Sequence, residues 1–261
     1  MPDNSQSALA LRAFHEVQIE MGQDPASGKM LFPGLAETLD RLIDMPGDAL
    51  LLGIAADGLP VLLHLRDPRP GPILLIGDRG CGKTDFLKVF LLTAQHFCSG
   101  SNVNFAILTE TPSDFDDFGA SDQVLGIWPP YDESSADLIS RLAARTQYPD
   151  IHQPLVLLID GLEAVLQMEQ DAQDDLAYIF SYGPQSLVWP VVTINSGLAL
   201  KLPQWLSYFR TRIYGRIANP ATIEALTPVP GAPLNRLFPG SQFCLRQKSN
   251  WLKFWLPSLP A

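Results

Sequence analysis

Residues 77 to 84 read Gly77-Asp78-Arg79-Gly80-Cys81-Gly82-Lys83-Thr84, which fits the pattern G-x-x-x-x-G-K-[ST] in full. The flanks limit what the chain can fold into. Ile73 to Ile76 is wholly apolar, as in a parallel strand buried on both faces. Lys83 to His96 has helical spacing, with Phe86, Leu87, Phe90, Leu91 and Ala94 on one side. Buried strand, glycine-rich turn and helix in that order form an anion cradle. Glycines let the backbone curl so that successive N–H groups converge. The helix adds its positive N-terminal end.

The side chains in the cradle suit a magnesium nucleotide, most simply Mg-ATP. Lys83 reaches β- and γ-phosphates as a mobile point charge, and Thr84 supplies a hydroxyl to Mg²⁺. The stretch expected to hold the nucleotide is Gly77, Asp78, Arg79, Gly80, Cys81, Gly82, Lys83, Thr84 and Asp85. A second apolar run, Leu155 to Ile159, ends in Asp160. Asp160 at a strand's carboxyl end is placed to support the same metal, through water. Thr84 and Asp160 are therefore the expected metal residues.

The rest of the chain alternates strands and helices. Val103 to Thr109, Gln123 to Trp128, Val191 to Ile194 and Arg212 to Ile217 read as strands. Ser134 to Arg145 reads as a helix, and Leu162 to Phe180 as one long helix with an acidic middle. Ser241 to Leu245 and Trp251 to Trp255 suggest a closing antiparallel pair. Such alternation implies an α/β fold, a parallel sheet covered by helices on both faces. Before residue 71 the pattern differs. Leu9 to Met21 and Leu35 to Ile43 read as helices joined by a Pro/Gly linker, Gln23 to Pro33. Leu50 to Ile54 and Val61 to Leu65 flank Asp57-Gly58, a hairpin signal. The division is therefore an N-terminal appendage, 1–70, and a nucleotide-binding core, 71–261.

Hydrolysis needs a group that orients water, and the residue after Asp160 is Gly161, not an acid. Two carboxylates are candidates. Glu163 follows within three residues, where a charge also suits a helix start. Glu110 follows the strand that ends at Thr109. Glu163 is preferred. Asn195, after Val191-Val192-Thr193-Ile194, either touches the γ-phosphate or serves as a turn former beside Ser196 and Gly197. Arg210, Arg212 and Arg216 are candidate arginine fingers across a subunit interface, or the solvated face of a strand; Arg212 heads the set.

Charge is uneven. The chain carries −10, yet from Lys201 onward eight basic residues face Glu224 alone, giving +7 there and −17 in the first 200 residues. Overall acidity speaks against general nucleic-acid binding, while the asymmetry suits a local basic face, subunits packing acidic side on basic side, or a solvated surface with chance clustering. The run from Ala49 to Leu65 is interrupted by Asp57, Gly58 and Pro60 and is too short to span a bilayer. No basic start precedes an apolar run, so no signal peptide is expected. Cys81, Cys98 and Cys244 have no paired spacing and read as reduced thiols. A cytoplasmic protein without membrane insertion is expected.

Together these segments resemble the FtsK/HerA group of ring-forming motor ATPases. "LLGIAADGLPVLLHL" is similar to the two strands those motors carry before the phosphate loop, and "ILLIGDRGCGKTDFLKVFL" to their Walker A, especially in the EccC secretion ATPases. "VVTINSG" falls where the group has its sensor strand. "RTRIYGRIANPATIEAL" and "GAPLNRLFPGSQFCL" resemble its closing segment. The resemblance implies a RecA-like core, hexameric rings of identical subunits, and translocation of DNA or, as in EccC, polypeptide. "LLIDGLEAV" also resembles the Walker B strand of NACHT-type signalling NTPases, which implies instead a nucleotide-gated switch or scaffold with weak or no hydrolysis.

Overall fold

A computed structural model describes residues 34–42, 48–97, 103–148, 153–227, 229–247 and 250–259. The expected helix Leu9 to Met21, the linker after it and Cys98 lie outside these residues. Helix α1 (Leu35–Arg41) leads into the hairpin β1 (Ala49–Ala55) and β2 (Pro60–His64). Then come β3 (Ile73–Gly77), α2 (Lys83–Phe97), β4 (Asn104–Thr109), β5 (Val124–Trp128), α3 (Glu133–Gln147) and β6 (Leu155–Asp160). Two helices follow, α4 (Leu162–Val165) and α5 (Gln170–Tyr182), then β7 (Val188–Asn195), α6 (Ser196–Ala199) and α7 (Pro203–Leu206). The chain closes with β8 (Thr211–Tyr214), α8 (Pro220–Leu226), β9 (Gln242–Gln247) and β10 (Asn250–Trp255).

All ten strands belong to one sheet, ordered β2-β1-β10-β9-β8-β3-β7-β6-β4-β5. From β8 to β5 every pairing is parallel. From β8 to β2 every pairing is antiparallel. The fold is thus mixed α/β with a mostly parallel sheet, as expected. Alternation along each strand divides the core between the two faces. Leu74, Ile76, Ala106, Leu108, Leu157 and Ile159 pack with Leu138, Leu142, Leu176 and Phe180 of α3 and α5. Ile73, Leu75, Phe105, Ile107, Val156 and Leu158 pack with Phe86 and Phe90 of α2 and Leu39 of α1. With both faces covered, the central parallel strands are largely apolar.

Three details depart from the sequence reading. The expected long helix Leu162 to Phe180 is two helices, broken between Val165 and Gln170. Its acidic cluster marks a start: Glu169 is the N-cap of α5 and Asp171 lies in its first turn, where carboxylates meet the positive helix end. Gln173 secures the break by donating from Nε2 to the carbonyls of Leu166 and Met168, at 3.0 and 2.9 Å. Strand β7 begins at Val188 and so contains Pro190. That is tolerated because β3 pairs with β7 only from Val191 onward. The third concerns the hairpin, read as part of an appendage. It is the far edge of the same sheet, with β1 pairing to β10 through Ile54–Trp255 and Ala55–Phe254.

Behind the hairpin, the fully buried Trp189 donates from its indole Nε1 to the Leu65 carbonyl at 2.7 Å, tying the end of the hairpin to the central sheet. Among the described residues no helix is long and apolar enough to cross a membrane. Trp189→Phe leaves that carbonyl without its donor, at a cost of about 1–3 kcal/mol. The urea midpoint should fall with the slope unchanged; an unmoved midpoint would show that this tie contributes nothing to stability.

Candidate functional site

The carboxyl ends of β3, β7, β6 and β4 meet at a cleft of about 420 Å³. Its lining includes Arg79, Gly80, Gly82, Lys83, Thr84 and Asp85 from the loop and the start of α2. Glu110, Asp160, Gly161, Glu163, Thr193 and Asn195 line the other side, and Gly240 lies at its edge. The nine consecutive positions predicted from the loop pattern thus divide by role. Gly77, Asp78 and Cys81 do not line the cleft but hold the loop from beneath.

The loop is held by short contacts. Asp78 donates its N–H to the Arg216 carbonyl at 2.9 Å. Its carboxylate accepts from the Ser196 hydroxyl and, at 2.8 Å, from the Ala218 N–H. Cys81 turns into the core. Its Sγ occupies the space a Cβ would need at Gly77 or Gly215, 2.4 and 2.7 Å away, so both positions must be glycine. Burial pushes the Cys81 thiol pKa up, and the sulfur serves as packing. Gly80 and Gly82 take φ of +77° and +90°, a region that L side chains avoid. Neither of their N–H groups donates to an acceptor among the described residues. The first turn of α2 begins at the next residue, Lys83.

Two polar chains cross the cleft. In one, Asp160 accepts at Oδ2 from the Thr84 hydroxyl (2.6 Å) and at Oδ1 from the Thr193 hydroxyl (2.7 Å). Thr193 in turn accepts from the Gly161 N–H at 2.9 Å. Because the Thr84 hydroxyl spends its proton on Asp160, its lone pairs are left for a cation. In the other, the Lys83 ammonium donates to the carbonyls of Gly77 (3.3 Å) and Asp78 (3.0 Å) and to Asn195 Oδ1 (3.1 Å). Asn195 Nδ2 donates to Glu163 Oε1 at 2.7 Å. Glu163 Oε2 is buried with no hydrogen-bond partner.

Gly161 explains how Glu163 arrives there. Its φ is +101°, and nothing lies within 4 Å of an added Cβ. The left-handed turn lets α4 begin at once, which points Glu163 back at Asn195. Glu110, which also lines the cleft, is exposed. Arg212 is not in the cleft. Its guanidinium donates to the carbonyls of Leu206 (2.7 Å) and Phe209 (3.3 Å), while the side chains of Arg210 and Arg216 are exposed.

The sequence reading missed Thr193, Ser196 and Gly240. Thr193 had a faint signal, a polar residue inside an apolar strand. Gly240 had none, because its contact with Gly82 joins segments far apart in the chain. Chemically the cleft offers loop N–H groups, a lysine and a helix N-terminus on one side and carboxylates on the other, which suits a polyphosphate carrying a divalent cation. Among the described residues no cluster of three or more His, Cys, Asp or Glu side chains could hold a metal unaided.

No protein-family model matches the sequence, and no curated protein matches it. Solved structures do. The cytoplasmic domain of EssC is similar with a TM-score of 0.68 over 87% of this chain and 47% of that one, at 12% identity. ATPases 2 and 3 of Thermomonospora curvata EccC, in complex with a signal sequence peptide, give 0.65 over 88% and 42%, at 14% identity. B204, the DNA-packaging ATPase from Sulfolobus turreted icosahedral virus, gives 0.52 over 71% and 97%, at 12% identity. The fold is that of these ATPase structures. The chain spans less than half the length of the EccC and EssC structures named here.

Glycine conformation supplies a direct check on the geometry of the cleft. Gly161→Ala adds only left-handed strain, about 1–2 kcal/mol. Gly82→Ala adds similar strain plus a Cβ 2.8 Å from the Gly240 carbonyl oxygen. Unfolding by urea should show the larger loss for Gly82→Ala; equal losses would mean that the Gly240 contact is not tight.

Proposed function

We propose that the chain binds Mg-ATP in this cleft and hydrolyses it as one subunit of a ring-forming motor. The reading rests on one observation: both polar chains run from the phosphate loop to a carboxylate, Thr84 to Asp160 and Lys83 through Asn195 to Glu163. In this reading the N–H groups of Gly80 and Gly82 hold phosphate oxygens, and Lys83 leaves Asn195 for the γ-phosphate. Thr84 and Asp160 would hold Mg²⁺, and the metal would supply charge neutralisation to the phosphates.

Glu163 orients the attacking water. Its partnerless Oε2 is an acceptor, and Asn195 holds the other oxygen in place. Glu110, exposed in the same cleft, is the second candidate. A finger from a neighbouring subunit falls to exposed Arg210 or Arg216, since Arg212 is fastened to carbonyls of its own subunit. The acidic first 200 residues and the basic remainder favour head-to-tail packing, which closes into a ring when the rotation allows. The relatives named above are a DNA-packaging ATPase and a secretion ATPase with a signal peptide. DNA or a polypeptide is accordingly the translocated substrate, in the cytoplasm. Gly161 in place of an acid favours one other reading, a nucleotide-gated switch with slow turnover.

Lys83→Ala should abolish ATP binding with the fold intact, and Thr84→Ala should weaken Mg-dependent binding more than Mg-free binding. Unchanged affinity in the Lys83 variant removes the nucleotide site.

Glu163→Gln should bind ATP and lose turnover by about a hundredfold or more. If Glu110→Gln does so instead, the roles reverse. ATPase rate per subunit should rise with protein concentration, fall as salt screens the interface, and respond to DNA or substrate polypeptide. A rate per subunit independent of concentration rules out the finger, and no turnover in any condition leaves the switch.

A further inference from the structure

Phe238 is half exposed, at 51%, although large apolar side chains normally bury. It lies in the turn that enters β9, and that turn rests on the phosphate loop: a Cβ at Gly82 would sit 2.8–3.0 Å from Gly240 backbone atoms. Gly240 is itself part of the cleft edge. Only Pro239 separates Gly240 from Phe238, so their Cα atoms are at most about 7 Å apart.

The turn is fixed, so the ring is held in position. Gln242 donates its N–H to the Phe238 carbonyl at 3.0 Å, and its side-chain Oε1 accepts from the Phe238 N–H at 3.3 Å. Behind the ring stands Trp255, with centroids 5.7 Å apart and planes tilted by 36°. Trp255 is anchored by the β9–β10 ladder, where it pairs with Gln242. The result is a firm, half-exposed aromatic surface two positions along the chain from Gly240, which lines the cleft. A phosphate site needs nothing aromatic at its rim; a nucleoside does, because every base has a flat apolar face.

We propose that Phe238, backed by Trp255, is the platform on which the base of the bound nucleotide stacks, an inference that rests on the nucleotide site proposed above. Stacking reads the area of the ring and not its edge. The platform therefore selects purine over pyrimidine nucleotides and accepts both ATP and GTP. It also assigns a role to the antiparallel end of the sheet: β9 and β10 carry the surface that holds the nucleoside, while the parallel strands carry the groups that hold the phosphates.

The test compares a ligand that has a base with one that lacks it. Wild type, Phe238→Ala, Phe238→Tyr and Lys83→Ala are titrated by calorimetry with Mg-ATP and with magnesium tripolyphosphate. Phe238→Ala should weaken ATP about tenfold and leave tripolyphosphate unchanged, and Phe238→Tyr should restore ATP. Wild type should prefer ATP and GTP over CTP and UTP, and Phe238→Ala should lose most of that preference. If Phe238→Ala binds ATP as wild type does while Lys83→Ala loses both ligands, the platform is overturned and the phosphate site stands. Equal weakening of both ligands by Phe238→Ala also overturns it, since the loop has then shifted through Gly240. Normal binding of both ligands by Lys83→Ala overturns the nucleotide site, and the platform with it.

Discussion

A single carboxylate, that of Asp160, joins three elements that are far apart in the chain. One oxygen takes the Thr84 hydroxyl from the helix after β3, and the other takes Thr193 from β7. β7 lies between β3 and β6 in the sheet, so this carboxylate bridges across an intervening strand by using that strand's own side chain. The arrangement depends on parallel register. Side chains alternate with a period of two, so a one-residue slip of β6 or β7 would turn Asp160 or Thr193 to the opposite face. Burial on both faces prevents the slip, because Leu157, Ile159, Val156 and Leu158 each have an apolar layer to fill.

The loop is firm below and open above, and the two conditions have different causes. Below it, Cys81 fills the space left by Gly77 and Gly215, and Asp78 is fastened to Ser196 and Ala218. The segments after β7 and β8 therefore set the height of the loop. Above it, positive φ at Gly80 and Gly82 turns N–H groups away from the chain's own carbonyls. An anion site made this way requires little reorganisation when its ligand arrives, which is the advantage of fixed dipoles over mobile water. Gly161 works by the same principle on the other wall. Its left-handed turn gives up the acid next to Asp160 and delivers Glu163 to Asn195 instead.

The antiparallel end of the sheet meets this site where Gly240 lies against Gly82 and where Phe243 and Phe254 pack on Phe86. The pairing of β1 with β10 and the indole of Trp189 on Leu65 tie the hairpin into the same body. The likeness to EssC, EccC and B204 at 12–14% identity follows from what such a fold requires. Apolar runs of the right length, glycines at turns with positive φ, and one lysine and one hydroxyl at fixed places leave most side chains free to vary.

The sequence by itself determined the glycine-rich loop, the apolar strands around it, and Asp160 and Asn195 at strand ends. These depend on residues adjacent in the chain: glycine spacing sets a turn, and an unbroken apolar run sets a buried strand. Leu162 to Phe180 misled because its spacing suits a helix throughout, while the break is secured by Gln173 reaching back to Leu166 and Met168. Only the tertiary structure decided that β7 lies between β3 and β6, that Thr193 shares Asp160, that Arg212 is tied to its own carbonyls, and that Gly240 leans on Gly82. Strand order and such contacts are fixed by which apolar faces pack best against each other over long sequence separations, and no short stretch of the chain carries that information.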